Sequence, residues 1–226
     1  AANTDRDSYY GPGNDPLKAY GKTTDLTAMG GAQYVHTFGK CLFMPSDLTA
    51  GLEYNRDRLK DNMWGYDRHT DQTVNIYSAF LQNEWKNDRW GILIGGRLDK
   101  HNLIDHIIFS PRANLRFNPT QNINLRLSYS SGFRAPQAFD EDMHIENVGG
   151  TVAMIERAKD LKEEKSQSFS ASADMYHRFG AFQTNLLIEG FYTRLTDVFV
   201  LGEPYDRGDG ILVKTRSNGP GAKVMG

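Results

Sequence analysis

Long stretches of this chain alternate apolar and polar residues with a period of two, and this constrains the fold more than any other feature. In 122–130 one face is apolar and the other polar: Ile123, Leu125, Leu127 and Tyr129 against Asn124, Arg126, Ser128 and Ser130. Successive side chains of a β-strand point to opposite faces, so this alternation is typical of strands whose two faces meet different surroundings. The pattern predicts strands at 27–38, 46–56, 73–86, 89–99, 107–118, 121–131, 166–178, 181–194 and 211–218.

Most of these predicted strands have ten residues or more. Strands of soluble domains usually have about 5–6 residues, whereas a strand that crosses a bilayer at a tilt needs about 9–11. The predicted fold class is therefore all-β, with the antiparallel up-and-down strands of a transmembrane barrel.

The connections between the predicted strands alternate in length from residue 39 onward. Tight turns are predicted at 87–88, 118–120 and 179–180, and longer connections at 57–72, 100–106, 132–165 and 195–210. Outer-membrane barrels have short turns at one rim and long loops at the other. Within the longest loop, 151–165 has a helical-looking composition, and we expect one or two helical turns there.

Composition argues against several other classes of protein. The net charge of −2 provides no basic field, so we expect no nucleic-acid partner. The chain has no apolar run of about 18 residues, the length of a transmembrane helix. The single cysteine, Cys41, excludes an internal disulfide and a multi-cysteine metal site. Residues 1–5 lack signal-peptide features, so we expect a processed chain or a fragment.

The sequence contains no recognisable catalytic motif. G-x-S-x-G, H-E-x-x-H and P-loop patterns do not occur. Asp206, Asp209 and Gly210 fit a polar turn better than a calcium loop, because the EF-hand spacing is missing. None of the six histidines has a close partner at ligand spacing, although His101 and His106 share one loop. We therefore expect no enzyme, no catalytic residue, no metal site and no cofactor.

Six short motifs occur in an order that resembles TonB-dependent outer-membrane receptors. They are GGRLD at 95–99, FSPRANLRFNP at 109–119, INLRLSYSSGFRAP at 123–136, DLKEEKS at 160–166, EGFYTRLTD at 189–197 and RSNGPGAKVMG at 216–226. Each motif is weak alone, but their order over 73–226 makes the resemblance specific. The first seventy residues are similar only in general strand character.

The resemblance implies that 1–226 is one partial barrel domain, a fragment of a barrel of about 22 strands around a plug. It implies a cell outer membrane location in a Gram-negative bacterium and energised uptake of a scarce nutrient: an iron–siderophore, haem or cobalamin. The implied partners are outer-membrane lipid, that nutrient, and TonB through an N-terminal region this chain does not show. An open fragment should leave two strand edges and an apolar face uncovered.

Two residues in the loop that begins at the F-R-A-P box are candidates for ligand binding. Arg134 either organises the exit from the strand through the carboxylates of Asp140, Glu141 or Asp142, or contacts the ligand. His144 lies where the family's haem receptors have a loop histidine, and an imidazole can ligate haem iron. The N-P-N-L segment of those receptors reads Ala-Lys-Asp-Leu at 158–161, which leaves a haem role for His144 open.

Three alternatives to a transport receptor stay open on the sequence. A passive porin-like channel would share the alternation but not the motifs at 133–166, and a plug sequence upstream in the gene would exclude it. A soluble all-β binding module would be a water-soluble monomer with both sheet faces covered. An outer-membrane phospholipase or protease would need a Ser/His/Asp arrangement at the barrel rim, which no motif supports.

Overall fold

The computed structural model describes residues 1–9, 20–139, 142, 146–148, 151–208 and 210–226. Its elements are almost all strands: β1 (Ala2–Tyr9), β2 (Tyr20–Cys41), β3 (Met44–Met63), β4 (Arg68–Lys86), β5 (Trp90–His101), β6 (Ile108–Thr120), β7 (Ile123–Arg134), β8 (Glu146–Val148), β9 (Thr151–Arg157), β10 (Glu164–Phe179), β11 (Phe182–Thr196), β12 (Phe199–Leu201), β13 (Tyr205–Asp206), β14 (Ile211–Asn218) and β15 (Ala222–Met225). A single 3-10 turn (Trp64–Tyr66) joins β3 to β4. The all-β prediction is confirmed.

Two sheets are formed by the residues that the structure describes. The main sheet has ten strands in the order β1-β2-β3-β4-β5-β6-β7-β10-β11-β15, and every pair in it is antiparallel. The second sheet has the order β12-β14-β9-β8, with β13 also paired to β14. β1 and β15 are the two edges of the main sheet, so it is open within this chain.

Eight of the nine predicted strands lie in the main sheet, and several are longer than predicted. The predicted loop at 57–72 is mostly strand, because β3 continues to Met63 and β4 begins at Arg68. β1 was not predicted, because Ala2–Tyr9 is polar on both faces; its pairing with β2 makes it a strand.

One prediction about the long loops is wrong, and one predicted strand lies in the second sheet. Segment 151–157 is strand β9 rather than a helical turn, because its parallel pairing with β14 overrides the local helix propensity. The predicted strand at 211–218 exists as β14, but it lies in the second sheet. The position next to β11 in the main sheet is taken by β15.

The alternation of short and long connections is confirmed except at 57–72, where only the connection 64–67 remains. Leu42–Phe43, 87–89, 121–122 and 180–181 are short and lie at one end of the main sheet, here called the short-turn end. In the turn at 87–89, the side-chain oxygen of Asn87 accepts hydrogen bonds from the backbone N–H groups of Arg89 (2.9 Å) and Trp90 (2.7 Å). One predicted turn is shifted, since 118–120 completes β6 and the turn follows at 121–122. The opposite end is called the long-loop end.

The two faces of the main sheet differ as the alternation predicts. One row of directly opposed residues runs across five strands: Ile94, Ala113, Tyr129, Phe169 and Tyr192. The neighbouring row on the other face is mostly polar: Asn114, Ser128 and Ser170. On the apolar face, Leu52 is 66% and Leu127 is 55% exposed. These apolar side chains are therefore not enclosed in a water-soluble core.

Buried side chains concentrate at the long-loop end. One cluster joins Met63 of β3 and Tyr66 of the 3-10 turn to Met154 and Ile211 of the second sheet. Ile104, Ile108 and Ala135 form a second cluster. No helix among the described residues is long and apolar enough to cross a membrane.

Candidate functional site

The described residues of the two longest connections fold together over the polar face at the long-loop end. Segments 135–163 and 197–221, here called the loop unit, share the second sheet through the parallel pair β9–β14, which aligns Val152 with Ile211 and Arg157 with Arg216. Val213 at the centre of this sheet is completely buried. Burial against the loop unit raises the pKa of the Tyr66 phenol.

Polar contacts attach the loop unit to the polar face of β4. The side-chain oxygen of Gln72 accepts hydrogen bonds from the backbone N–H of Ala138 (2.8 Å) and from Nη1 of Arg157 (2.7 Å). Arg68 donates from Nη1 to the carbonyl oxygen of Asp142 (3.5 Å) and forms an ion pair with Asp61 at 2.8 Å. Gln72 is itself buried, so these contacts replace the water that its amide would otherwise bind.

A buried ion pair joins the two segments of the loop unit. Nη2 of Arg216 lies 2.8 Å from Oδ1 of Asp142, and the two side chains are only 6% and 4% exposed. A charge this deeply buried is tolerated only with its partner in place. The pair therefore links β14 to the loop that follows Arg134.

Arg134, the last residue of β7, contacts both segments of the loop unit. Its guanidinium carbon lies 3.9 Å from the centre of the Phe139 ring and 5.4 Å from that of Phe199. These are cation–π contacts with one ring from each segment. Of the carboxylates predicted as its partners, Asp142 pairs with Arg216, whereas Asp140 and Glu141 lie outside the described residues. A ligand contact by Arg134 stays a prediction.

His144, the other predicted ligand-binding residue, lies outside the described residues. The two loop histidines at the end of β5 are described and have different surroundings. His101 is fully buried, and its Nε2 lies 3.3 Å from the side-chain oxygen of Gln137. His106 pairs with Glu163 at 3.1 Å. Among the described residues no group of three potential metal ligands occurs.

A cavity of about 580 Å³ lies between the start of β4 and the loop unit. Its charged lining residues include four cations, namely Arg68, Arg157, Lys159 and Arg207, and three carboxylates, Asp67, Asp142 and Glu156. Two of these groups already form ion pairs, Arg68 with Asp61 and Asp142 with Arg216.

Arg157 differs from Arg68 in its partners, because Arg68 pairs with a carboxylate whereas Arg157 donates to neutral oxygen atoms. Besides Gln72, it donates to the carbonyl oxygen of Pro136 at 3.3 Å. Both acceptors are neutral, so among the described residues no carboxylate neutralises this guanidinium by direct contact. The arrangement can bind an anion, because a preoriented guanidinium is a strong donor to negatively charged oxygen atoms.

Sequence reasoning did not single out Gln72, Arg157 or Lys159. Gln72 and Arg157 are 85 positions apart, and only the folded loop unit brings them together. Nothing in the local pattern of 151–165 marked Arg157, because that segment was expected to be helical.

Farther down the polar face, a charged network explains the motif at 95–99. Arg97 donates from Nη1 to Glu53 (2.6 Å) and from Nε to Asp99 (2.8 Å), and Asp99 accepts a hydrogen bond from Ser78 (2.6 Å). These residues belong to three adjacent strands, β3, β4 and β5. The network holds these strands in register and lines the polar face, and its acids are paired with a cation rather than arranged for catalysis.

The family model for the TonB-dependent receptor-like β-barrel matches residues 1–226, the whole chain. The chain belongs to this family. The family is one of transport receptors and is not a class of enzymes. Among curated proteins, the sequence comparison gives no match.

Solved structures of two siderophore receptors and an iron transporter share the fold of this receptor chain. The siderophore receptor PirA from Pseudomonas aeruginosa is 16% identical, with a TM-score of 0.72 over 92% of the chain. The ferric enterobactin receptor PfeA in complex with BCV-L6 is 19% identical, with a TM-score of 0.71 over 99% of the chain. The FrpB iron transporter from Neisseria meningitidis is 15% identical, with a TM-score of 0.62 over 92% of the chain. The receptor chain spans only 39%, 36% and 33% of these three proteins.

Proposed function

We propose that this chain is part of an outer-membrane receptor that imports a ferric siderophore into a Gram-negative bacterium, using energy delivered through TonB. Membership in the receptor family supports the transport role. PirA is described as a siderophore receptor, PfeA as a ferric enterobactin receptor and FrpB as an iron transporter. The barrel portion catalyses no reaction in this proposal, and its task is to bind the nutrient and form the wall of its path.

The observation that carries the choice of ligand is the cavity of about 580 Å³ at the long-loop end. Siderophore chelates hold iron through oxygen donors, and many carry net negative charge. Arg157 presents a guanidinium with neutral protein partners, and Lys159 adds a second cation to the same lining. A hydrogen bond to a charged group contributes about 1.5–3 kcal/mol, enough to select an anionic chelate.

Arg134 acts as a positioning residue in this proposal. Its two ring contacts hold Phe139 and Phe199 against each other, with ring centres 6.3 Å apart. Through these rings it fixes where both segments of the loop unit leave the sheet. His144 ligates haem iron only if the nutrient is haem, and the experiment below separates that nutrient from a siderophore.

The test is growth of a deletion strain complemented with the complete receptor, supplied with ferric enterobactin, haem or cobalamin as the limiting nutrient. We expect growth on the ferric siderophore, and a loss of affinity of about tenfold or more in Arg157→Gln and Lys159→Gln. Lys40→Gln removes the same charge from an exposed site near the short-turn end and should leave affinity unchanged. Growth on haem or cobalamin alone, or equal affinities in all three variants, would overturn the proposal.

A further inference from the structure

Along the apolar face of β3, the side chains change from apolar and aromatic to cationic toward the long-loop end. Alternate residues share one face of a strand, and along this face Leu52 and Tyr54 are followed by Arg56, Arg58 and Lys60. The Tyr54 ring packs on the Tyr77 ring of β4, with centres 4.9 Å apart. All three cations are exposed. A row of cations therefore begins directly after an aromatic pair on the same surface.

Neighbouring strands do not neutralise the first two of these cations. Arg56 lies opposite Ala28 of β2 and Asn75 of β4. Arg58 lies opposite Leu26 and Thr73. Neither guanidinium has an ion pair or side-chain hydrogen bond within the described part of the chain. Two unpaired charges thus lie about 7 Å apart along one strand.

Lys60, the next cation along this face of β3, is different. It lies 3.5 Å from Asp71 of β4. It is therefore already partly neutralised.

A second group of cations, unpaired among the described residues, follows a tyrosine on the apolar face near the β15 edge of the main sheet. Arg194 of β11 follows Tyr192 on the apolar face and is directly opposite Lys223 of β15. Both are exposed, and the residue opposite Arg194 on β10 is the neutral Gln167. Like charges at directly opposed positions repel each other. A bound anion between them would remove that repulsion.

The short-turn end of the apolar face lacks this feature among the described strand residues. Several of its last outward positions are aromatic: Phe38, Trp85, Phe117, Phe179 and Phe182. Four cations of these strand ends are on the polar face instead: Lys86, Arg116, Arg126 and Arg178. Lys40, in the irregular end of β2, is a single exposed cation. Groups of two or more unpaired strand cations therefore border the apolar face only at the long-loop end, within the described strands.

We infer that Arg56, Arg58, Arg194 and Lys223, here called the cationic band, bind the phosphate groups of lipid headgroups in the leaflet at the long-loop end. The inference rests on the proposed function, which places this apolar face in a membrane. Acyl chains would contact Leu52 and its neighbours, the tyrosines would lie at the interface, and the band would meet the headgroup layer. The nutrient cavity lies on the other face of the sheet, so the band is a separate site.

Charge complementarity determines the occupant. Arginine side chains form paired hydrogen bonds to phosphate oxygens, and a cation close to an anionic lipid surface strengthens binding by about fivefold. Removing both Arg56 and Arg58 should therefore weaken binding of a phosphorylated lipid by about thirtyfold. Uncharged lipids should bind equally well to both forms.

The test uses the complete receptor purified in neutral detergent and native mass spectrometry with two probes: bisphosphorylated lipid A and its dephosphorylated form. The variants are Arg56→Gln with Arg58→Gln, and Arg194→Gln with Lys223→Gln. The control is Arg116→Gln with Arg126→Gln, which removes two charges from the polar face. We expect only the first two variants to lose the phosphorylated lipid, and no variant to discriminate the dephosphorylated one.

Retention of the phosphorylated lipid by both band variants, or an equal loss in the control, would overturn the inference. Each variant is also assayed for ferric enterobactin uptake, which confirms that it has folded. If the band variants import ferric enterobactin normally and bind the phosphorylated lipid as the wild type does, the inference about the cationic band is wrong and the proposed function stands. If the band variants lose only the phosphorylated lipid but the wild-type receptor imports no iron chelate, the proposed nutrient is wrong and the inference about the cationic band is supported.

Discussion

The two sheets of this chain are stabilised in opposite ways. The main sheet consists of long antiparallel ladders, and its apolar side chains, such as Leu127 and Phe169, remain more than half exposed. The second sheet has short strands, yet Met154 and Val213 are almost completely buried and an ion pair lies beside them. The main sheet therefore leaves one apolar face uncovered within the described chain, whereas the second sheet buries its central side chains against the protein itself.

The largest expected effect comes from breaking the ion pair of the loop unit. Asp142→Ala leaves the buried guanidinium of Arg216 without its carboxylate, which should cost about 3–5 kcal/mol. Hydrogen exchange should show lost protection in β9 and β14, with β10 unchanged. The double variant Asp142→Ala with Arg216→Met should recover most of the loss. Equal deprotection of β10 would show that the two sheets are not energetically distinct.

A smaller effect separates the two faces of the main sheet. Leu127→Arg places a charge on the apolar face and should destabilise the barrel by about 2–4 kcal/mol in lipid vesicles. Leu187 is similarly exposed but lies on the polar face opposite Asp174. Leu187→Arg should therefore change the free energy of unfolding little. Denaturant titration of both variants measures the difference, and equal destabilisation would contradict the assignment of the faces.

A still smaller effect concerns the hydrogen-bonded serine pair on the polar face. The hydroxyl groups of Ser128 and Ser170 are 2.5 Å apart on neighbouring strands. Ser128→Ala should cost about 1 kcal/mol, the usual contribution of one such bond. The double variant with Ser170→Ala should cost little more, because each single change already breaks the bond. Additive losses in the denaturant titration would show that the two hydroxyls act independently.

The stability that Glu163 contributes, at the point where the loop unit joins β10, should depend on pH. Burial by itself raises the pKa of the Glu163 carboxyl, but a hydrogen bond from Lys165 and the charges of Lys165 and His106 outweigh it and lower the pKa. A carboxyl whose pKa is lower in the folded state stabilises the fold at pH values above its ordinary pKa of 4.5. This contribution is lost as the pH falls through the lowered value.

The variant Glu163→Gln tests that dependence. Wild type should be more stable than the variant at pH 7, by about 1 kcal/mol or less because Lys165 and His106 are exposed. The difference should shrink as the pH falls below 4.5. Denaturant titration at several pH values measures it, and a difference that does not change with pH would assign the stability to packing rather than to charge.

Sequence reasoning worked best where a single strand carries its own pattern. The alternation in 122–130 and 166–178 gave both the strands and their faces, because burial of one face repeats every second residue. It gave Leu187 as an interruption, and the structure places that residue among polar neighbours. It missed β1, whose residues have no apolar face, and it placed the turn after β6 about two residues too early.

Prediction failed for the loop unit because its contacts join distant segments. The helix-favouring residues of 151–157 form a strand only because β14 lies beside them. Phe139 and Phe199 meet around Arg134, although they come from different connections. No local period records such a pairing, so neither the cavity nor the role of Arg157 could be predicted.

The sequence alone determined the strands of the main sheet, their two faces and the end at which the long loops lie, since each follows from side-chain alternation within one segment or from the length between segments. The tertiary structure decided which strands of the loops pair, which cations keep neutral partners and where a ligand-sized space remains. Those properties depend on contacts such as that between Gln72 and Arg157, whose energy is available only after both connections have closed over the sheet.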